Sequence, residues 1–276
     1  MIFKNKKNKE TSPVKSKIIL QKARKSQITI NLKGSGFAHI DWGDGKKCVY
    51  KFSDTIISCR HKYVPANIHT IEITGTNITG LFCKGNLLTG LDVSRNAALK
   101  ELFCDSNKLT NLDVSKNTEL TKFVCKCNLL TSLDISKNTE LTYLDCNYNQ
   151  LEKLKISKNA ALKEVCCRNN KLTKLNLDNT TALTNLNCEN NQLKSLDISK
   201  CTGLIELHCR FNQLAKLKIN EENTSLKELN CDFNLLKSLD VCKSTELIKL
   251  SCRNNQLKKL AISGCTAMME LNCSNN

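Results

Sequence analysis

The feature that most constrains this chain is a cysteine that recurs every 21 residues, with one step of 22, and an asparagine that follows each of these cysteines three residues later. A fixed period of this length is typical of solenoids, in which each repeat stacks on its neighbours. The pattern predicts about ten rungs over residues 77–276. The cysteines are Cys83, Cys104, Cys125, Cys146, Cys167, Cys188, Cys209, Cys231, Cys252 and Cys273. The asparagines are Asn86, Asn107, Asn128, Asn149, Asn170, Asn191, Asn212, Asn234, Asn255 and Asn276.

Each unit reads L-x-x-L-x-C-x-x-N-x-L-x-x-L-x-(V/I/L)-S-x-N-x-x. In L-x-C, Leu and Cys face one side and the residue between them faces the other, which predicts a short half-buried strand. Stacking these strands gives a parallel sheet. The second half, as in Leu112-Asp113-Val114, alternates in the same way and predicts another extended segment on the opposite side of each coil.

This unit resembles the leucine-rich-repeat signature L-x-x-L-x-L-x-x-(N/C)-x-L over roughly residues 78–276, with Cys in the third leucine position. Its short period and its Leu-Asp-Val-Ser second half are similar to repeats of internalin-like bacterial surface proteins. The resemblance implies a mostly β protein: a right-handed solenoid with a parallel β-sheet on its concave face, capped by a small antiparallel β domain. It also implies a binding module for recognition or adhesion at a bacterial surface.

Two segments precede the repeats. Residues 1–26 hold nine Lys or Arg and one acid, and this composition predicts a disordered basic tail. Residues 27–76 alternate as short antiparallel strands. Their Trp42-Gly43-Asp44-Gly45 and His61-Lys62-Tyr63 motifs resemble a shortened PKD-like β-sandwich. Asp41 and Asp44 are conceivable calcium ligands, but carboxylates in a glycine turn more often shape the turn, so we expect no metal.

The recurring asparagines are expected to form a structural ladder, since an Asn side chain offers both a donor and an acceptor to backbone groups inside the coil. Its central members are Asn107, Asn128, Asn149, Asn170, Asn191 and Asn212. Equivalent Cβ atoms in stacked coils lie about 4.7–4.9 Å apart, farther than the 3.5–4.5 Å that a disulfide requires. The recurring cysteines are therefore expected to stay reduced and to pack as small apolar residues.

The sequence contains no recognisable set of catalytic residues. Three of the four histidines lie in the cap segment, and His208 stands alone in the repeats with Asn187 and Asn230 as its expected neighbours. Cys166 is the candidate reactive thiol, because it takes an outward position near Arg168, but no histidine adjoins it in its column. We therefore expect a protein that is not an enzyme and that has no cofactor.

Binding is expected on the outward face of the L-x-C strands, where rings and guanidinium groups give large contact areas. The candidate partner-binding residues are Phe103, Tyr143, Tyr148, Arg168, Arg210, Phe211 and Phe233. The partner is expected to be a protein or another macromolecule. A basic column on the far side could instead meet an anionic polymer, although nearby aspartates partly offset its charge. This column comprises Arg95, Lys116, Lys137, Lys158, Lys200 and Lys243.

Two alternative functions stay open: an intracellular scaffold, and an anion or nucleic-acid binder that uses the basic tail and the lysine column. The longest apolar run near the start is Ile18-Ile19-Leu20, so no secretory signal is expected. No 18-residue apolar run occurs, so no transmembrane helix is expected either. The sequence as given thus favours the cytoplasm, whereas the family resemblance favours the cell surface.

Overall fold

The computed structural model describes residues 16–52, 55–156, 159–220 and 222–276, and all of its regular elements are strands. Among these residues there is no helix long and apolar enough to cross a membrane. Six strands build the cap and the first coil. They are β1 (Ser16–Lys22), β2 (Gln27–Asp41), β3 (Lys47–Lys51), β4 (Ile57–Lys62), β5 (His69–Phe82) and β6 (Leu88–Arg95).

A parallel sheet of ten strands, the main sheet, runs along the solenoid from β5. Its other strands are β7 (Glu101–Phe103), β8 (Lys122–Val124), β10 (Tyr143–Asp145), β12 (Glu164–Cys166), β13 (Asn185–Asn187), β15 (Glu206–His208), β17 (Glu228–Asn230), β19 (Lys249–Ser251) and β21 (Glu270–Asn272). Equivalent residues of successive repeats pair in register, for example Leu144 with Phe123 and with Val165. The predicted leucine-rich-repeat solenoid and its parallel sheet are confirmed.

The second half of six coils forms three two-stranded sheets, which we call the second sheet. They pair β9 (Ser132–Asp134) with β11 (Lys153–Lys155), β14 (Ser195–Asp197) with β16 (Lys216–Lys218), and β18 (Ser238–Asp240) with β20 (Lys259–Ala261). Leucines from both halves of the coil and the recurring cysteines from Cys83 to Cys252 are buried in one continuous core. The core is therefore filled by Leu, Val, Ile and Cys, as their alternation predicts.

The cap contains antiparallel strands, as predicted, but it is not set apart from the solenoid. β2 pairs with β3, β4 and β5, and β5 continues into the main sheet as its first strand. The expected boundary at residue 76 falls inside β5. The likeness to a PKD-like sandwich stays a prediction.

The basic tail is shorter than its composition suggests. Residues 16–22, expected to be disordered, form β1, which pairs with both β5 and β6 and buries Ile18 and Leu20. Lys22 is fully buried: its ammonium donates to the carbonyls of Ala23, Lys25 and Asn67 at 3.2, 3.0 and 2.7 Å. The alternation of buried apolar residues decides the fold of this segment, whereas its charge does not. Residues 23–26 of the predicted tail connect β1 to β2, and residues 1–15 lie outside the described residues.

The recurring asparagines form what we call the front ladder. Asn170 is representative: its Nδ2 donates to Cys146 O and Cys167 O at 3.1 and 3.0 Å, and its Oδ1 accepts the Leu151 N–H at 3.0 Å. At the cap end, Asn86 makes the same kind of contacts with strand β2, because Thr29 both donates to its Oδ1 and accepts from its Nδ2. Strand β2 thus takes the place of a preceding coil.

A second polar column, the back ladder, follows the second sheet and was not recognised in the sequence. Asn138 Nδ2 donates to Val114 O at 3.0 Å and to Asn117 O at 2.8 Å. Asn117 and Asn223, at equivalent positions of other coils, also donate to carbonyls of the preceding coil. The members are Asn96, Asn117, Asn138, Asn159, Thr180, Cys201, Asn223, Ser244 and Cys265.

Candidate functional site

The candidate partner-binding residues lie on the outer face of the main sheet in two groups. The first group is an open groove of about 570 Å³ at the cap end. Its floor consists of Phe82, Phe103, Val124 and Tyr143, and the rings of Phe82 and Phe103 stack with centroids 5.0 Å apart. Asn31 reaches the groove from β2, and its Oδ1 is buried without a hydrogen-bond partner. We call this the cap-end groove.

Ion pairs border the cap-end groove. Lys84 Nζ lies 3.3 Å from Asp105 Oδ2, and Lys126 Nζ lies 3.0 Å from Asp145 Oδ2. Both carboxylates are almost completely buried, whereas both lysine side chains are well exposed. Burial also raises the pKa of Tyr143 to about 12, which keeps its hydroxyl protonated. The groove therefore combines a neutral, apolar floor with a rim whose accessible charge is positive.

The second group, which we call the aromatic edge, borders the main sheet and comprises Tyr148, Phe211, Phe233, Arg168, Arg210 and Arg253. The rings of Phe211 and Phe233 stack at 4.5 Å. Each arginine lies over a ring, with distances from guanidinium carbon to centroid of 4.9 Å at Tyr148, 5.6 Å at Phe211 and 5.2 Å at Phe233. Cation–π contacts of this kind restrict the motion of both the arginine side chain and the aromatic ring.

Carboxylates orient two of these arginines from the neighbouring coil. Arg210 Nε lies 2.8 Å from Glu189 Oε1, and Arg253 Nε lies 2.9 Å from Asp232 Oδ2. Arg168 instead donates to the Tyr148 hydroxyl. Since these guanidinium groups are fixed before any partner arrives, little side-chain freedom is left to lose on binding. The sequence analysis missed Arg253 as a member, although it follows Cys252 as Arg210 follows Cys209.

The backbone of the aromatic edge is unusual. The residue before each front-ladder asparagine has a φ of 51–64°, in the left-handed region. Glycine and asparagine tolerate this region, whereas bulky residues rarely adopt it. Seven of the ten positions carry Gly, Ser, Cys or Asn, and the other three carry Tyr148, Phe211 and Phe233. Tyr148 and Phe211 are also 45% and 44% exposed, so burial does not account for these rings.

All seventeen cysteines are free, and most of the recurring ones are buried. Burial raises the pKa of these thiols; for Cys188 and Cys252 the value is about 12. Cys166 differs from the sequence expectation of an outward, accessible thiol. It is half-buried, and burial beside Asp145 and Glu164 raises its pKa to about 12. The exposed thiols are instead Cys127 and Cys273.

The cap carboxylates serve turns and ion pairs. Asp41 accepts the Gly43 N–H at 3.0 Å and pairs with Lys47, while Asp44 lies 2.7 Å from His61 Nε2. His61 in turn stacks on Trp42 with ring centroids 4.8 Å apart. Across the described ranges, no group of three or more His, Cys, Asp or Glu side chains could hold a metal ion.

The fold and the repeat together define a leucine-rich-repeat solenoid. A functional domain of InlJ from Listeria monocytogenes that includes a cysteine ladder is 32% identical, with a TM-score of 0.57 over 76% of this chain and 51% of that one. YopM from Yersinia pestis, a leucine-rich effector protein, is 27% identical, with a TM-score of 0.57 over 66% and 51%. YopM from Yersinia enterocolitica is 25% identical, with a TM-score of 0.56 over 65% and 38%.

The chain therefore belongs to the leucine-rich-repeat proteins, and its 21-residue repeats are similar to those of the internalin and YopM type. It spans about half the length, or less, of these solved structures. No protein-family model matches the sequence, and no curated protein matches it.

Proposed function

We propose that this protein is a non-catalytic binding module that recognises another macromolecule, namely a protein, through the outer face of its main sheet. The observation that carries the proposal is the strained backbone of Tyr148, Phe211 and Phe233. A bulky residue in the left-handed region costs on the order of 1–3 kcal/mol. Since asparagine fills the same position in four other coils, folding alone gives no reason for these rings.

Their surroundings favour a protein partner. Aromatic and arginine side chains are the residues that most often anchor protein interfaces. At the aromatic edge they are fixed by stacking and by ion pairs with Glu189 and Asp232. The cap-end groove, with Phe103 and Tyr143 in its floor, offers an apolar recess on the same sheet. By resemblance to internalin-like proteins, the proposed setting is recognition or adhesion at a bacterial surface.

The test replaces the three rings by asparagine, which the left-handed backbone accepts. The full chain serves as bait for cross-linked capture, in parallel with a Tyr148→Asn, Phe211→Asn, Phe233→Asn variant. We expect the captured protein's affinity to fall by at least 2 kcal/mol, about thirtyfold. The free energy of unfolding, measured by urea denaturation, should change by less than about 1 kcal/mol, because relief of backbone strain offsets the lost ring contacts.

The control is Lys116→Ala with Lys137→Ala, which removes two cations of the basic column. Capture should survive this change. Loss of binding in the lysine variant, together with full binding by the asparagine variant, would overturn the main-sheet site. Salt sensitivity of the remaining binding would then indicate an anionic partner on the basic column.

A further inference from the structure

The second sheet is interrupted between β11 and β14, where residues 174–176 form no strand, and a groove of about 600 Å³ opens there. We call it the lysine groove. Its lining combines four lysines and one glutamate with amide and hydroxyl groups, and it contains no aromatic ring. The lining residues are Glu152, Lys153, Leu154, Lys155, Lys171, Thr173, Lys174, Asn176 and Gln192.

Two lysines of the second sheet, Lys155 in the groove lining and Lys218 outside it, have carboxylate partners in the adjacent coil. Lys155 Nζ lies 3.0 Å from Asp134 Oδ2, and Lys218 Nζ lies 2.9 Å from Asp197 Oδ2. The coil of the lysine groove provides no such carboxylate, because Asn176 stands in the column that contains Asp134 and Asp197. That asparagine accepts the Asp178 N–H at 2.8 Å, so it shapes its own turn and adds no negative charge.

Two lysines of the groove are left with uncompensated charge. Lys153 and Lys174 occupy equivalent positions in adjacent coils; both are exposed, and within the described ranges neither pairs with a carboxylate. Like charges at equivalent positions of adjacent coils repel each other. Lys171 adds a third cation, whose Nζ lies 3.4 Å from Gln150 Oε1. An anionic group placed between these ammonium groups would relieve the repulsion and gain several charge-assisted hydrogen bonds.

We propose that the lysine groove binds the sulfated or phosphorylated sugar units of an anionic polysaccharide. The ammonium groups would take the anionic substituents, and the side chains of Thr173 and Gln192 would hydrogen-bond sugar hydroxyls. Single-stranded nucleic acid is the weaker fit, because its binding sites stack bases on aromatic rings and this lining has none. The site lies on the second sheet, apart from the protein-binding face proposed above.

The test measures the affinity of the full chain for a heparin-derived octasaccharide by titration calorimetry at about 0.15 M salt, near physiological ionic strength. Lys153→Ser with Lys174→Ser removes the unpaired cations and copies Ser132 and Ser195 of the same column, so the fold is preserved. The matched control is Lys216→Ser with Lys259→Ser: same column, same charge loss, outside the groove. We expect a loss of at least about tenfold in the groove variant and less than about threefold in the control.

Three outcomes would overturn the proposal. Equal losses in the two lysine variants would mean general attraction to a basic surface. Equal or tighter binding of a single-stranded DNA of the same charge would favour nucleic acid. Failure of the unaltered chain to bind the octasaccharide even at about 0.05 M salt, where screening is weaker, would exclude the site. The Tyr148→Asn, Phe211→Asn, Phe233→Asn variant should keep its octasaccharide affinity, which separates this test from that of the protein-binding face.

Discussion

The two ladders run along the same solenoid, yet one has a single residue type and the other has four. The front ladder is asparagine at all ten positions, whereas the back ladder contains Asn, Thr, Cys and Ser. In the front ladder both ends of the amide are used, as at Asn170. In the back ladder Nδ2 donates to carbonyls of the preceding coil, but the Oδ1 atoms of Asn96, Asn117, Asn138 and Asn159 are buried without a partner.

The difference shows which chemistry each position requires. A position that needs both a donor and an acceptor in one plane admits asparagine, while a position that needs only a donor admits a hydroxyl or a thiol. Thr180 Oγ1 donates to Leu177 O at 2.9 Å, Ser244 Oγ to Asn223 O at 3.3 Å, and Cys265 Sγ to Val241 O at 3.1 Å. Sequence variation in the back ladder thus follows from an acceptor that most of its positions do not use; Asn223, whose Oδ1 accepts the Asn220 N–H at 2.9 Å, is the exception.

The largest expected effect concerns the thiols beside the front ladder, and it is a collapse of stability at alkaline pH. Burial raises the pKa of nine recurring cysteines, from Cys83 to Cys252. The folded chain keeps protons that the unfolded chain releases above about pH 8.5. The stability of the fold that depends on these protonated thiols is therefore fully present below that pH. It is lost as the pH rises toward the raised pKa values of the folded state. Each retained proton changes the free energy of unfolding by about 1.4 kcal/mol per pH unit.

The measurement is the urea unfolding midpoint between pH 7 and pH 11, together with the number of protons released on unfolding at about pH 9.5, where nearly all unfolded thiols are ionised. Nine thiols acting together would remove about 12 kcal/mol per pH unit, so the array should unfold within one or two units of pH 9. Cys125→Ala with Cys146→Ala should lower the number of released protons by about two. A midpoint that is flat up to pH 10.5 would refute the buried, protonated ladder.

The next effect is the loss of one front-ladder amide. Asn170→Ala leaves the Leu151 N–H without its side-chain acceptor. The carbonyls of Cys146 and Cys167 each lose one of two amide donors and keep the other, from Asn149 and Asn191. One buried unsatisfied group costs about 1–3 kcal/mol, and the two lost donor contacts place the total near the upper end of this range. Urea unfolding of the full chain measures it. An unchanged midpoint would mean that the front ladder follows the fold without stabilising it.

Much of this fold was predictable because one repeat encodes one coil. The 21-residue period, the Leu and Cys alternation and the asparagine three residues later specify strand, core and turn for every rung at once. The seven candidate binding residues follow from the same register, which places Phe103 and Tyr143 at the cap-end groove and Tyr148, Arg168, Arg210, Phe211 and Phe233 at the aromatic edge. Their role in binding is still a prediction.

The remaining features depend on contacts that the repeat does not encode. The sequence analysis did not predict strand β1, because Lys22 adds to the positive charge on which the prediction of a disordered tail was based. In the structure, three carbonyls and the Tyr63 ring surround the Lys22 ammonium group. The half-buried state of Cys166 depends on the neighbouring coils that supply Asp145 and Asn187. The lysine groove lies at a coil whose residues 174–176 form no strand and which carries Asn176 in the column of Asp134 and Asp197. A signal for the back ladder was present, since Asn96, Asn117, Asn138 and Asn159 also recur every 21 residues.

The smallest expected effect is the one that tests the comparison of the two ladders most directly. Asn138→Thr in the back ladder copies Thr180, keeps a donor for a coil carbonyl and removes the buried Oδ1 that has no partner. The lost donor contact and the removed unsatisfied acceptor are each about 1 kcal/mol, so the free energy of unfolding should change by less than about 1 kcal/mol. Asn170→Thr in the front ladder should cost about 2 kcal/mol or more, because the acceptor for the Leu151 N–H is lost. Both variants are compared by urea unfolding at pH 7, where thiol ionisation does not contribute. Equal losses at the two positions would show that the unused acceptor does not explain why the back ladder varies.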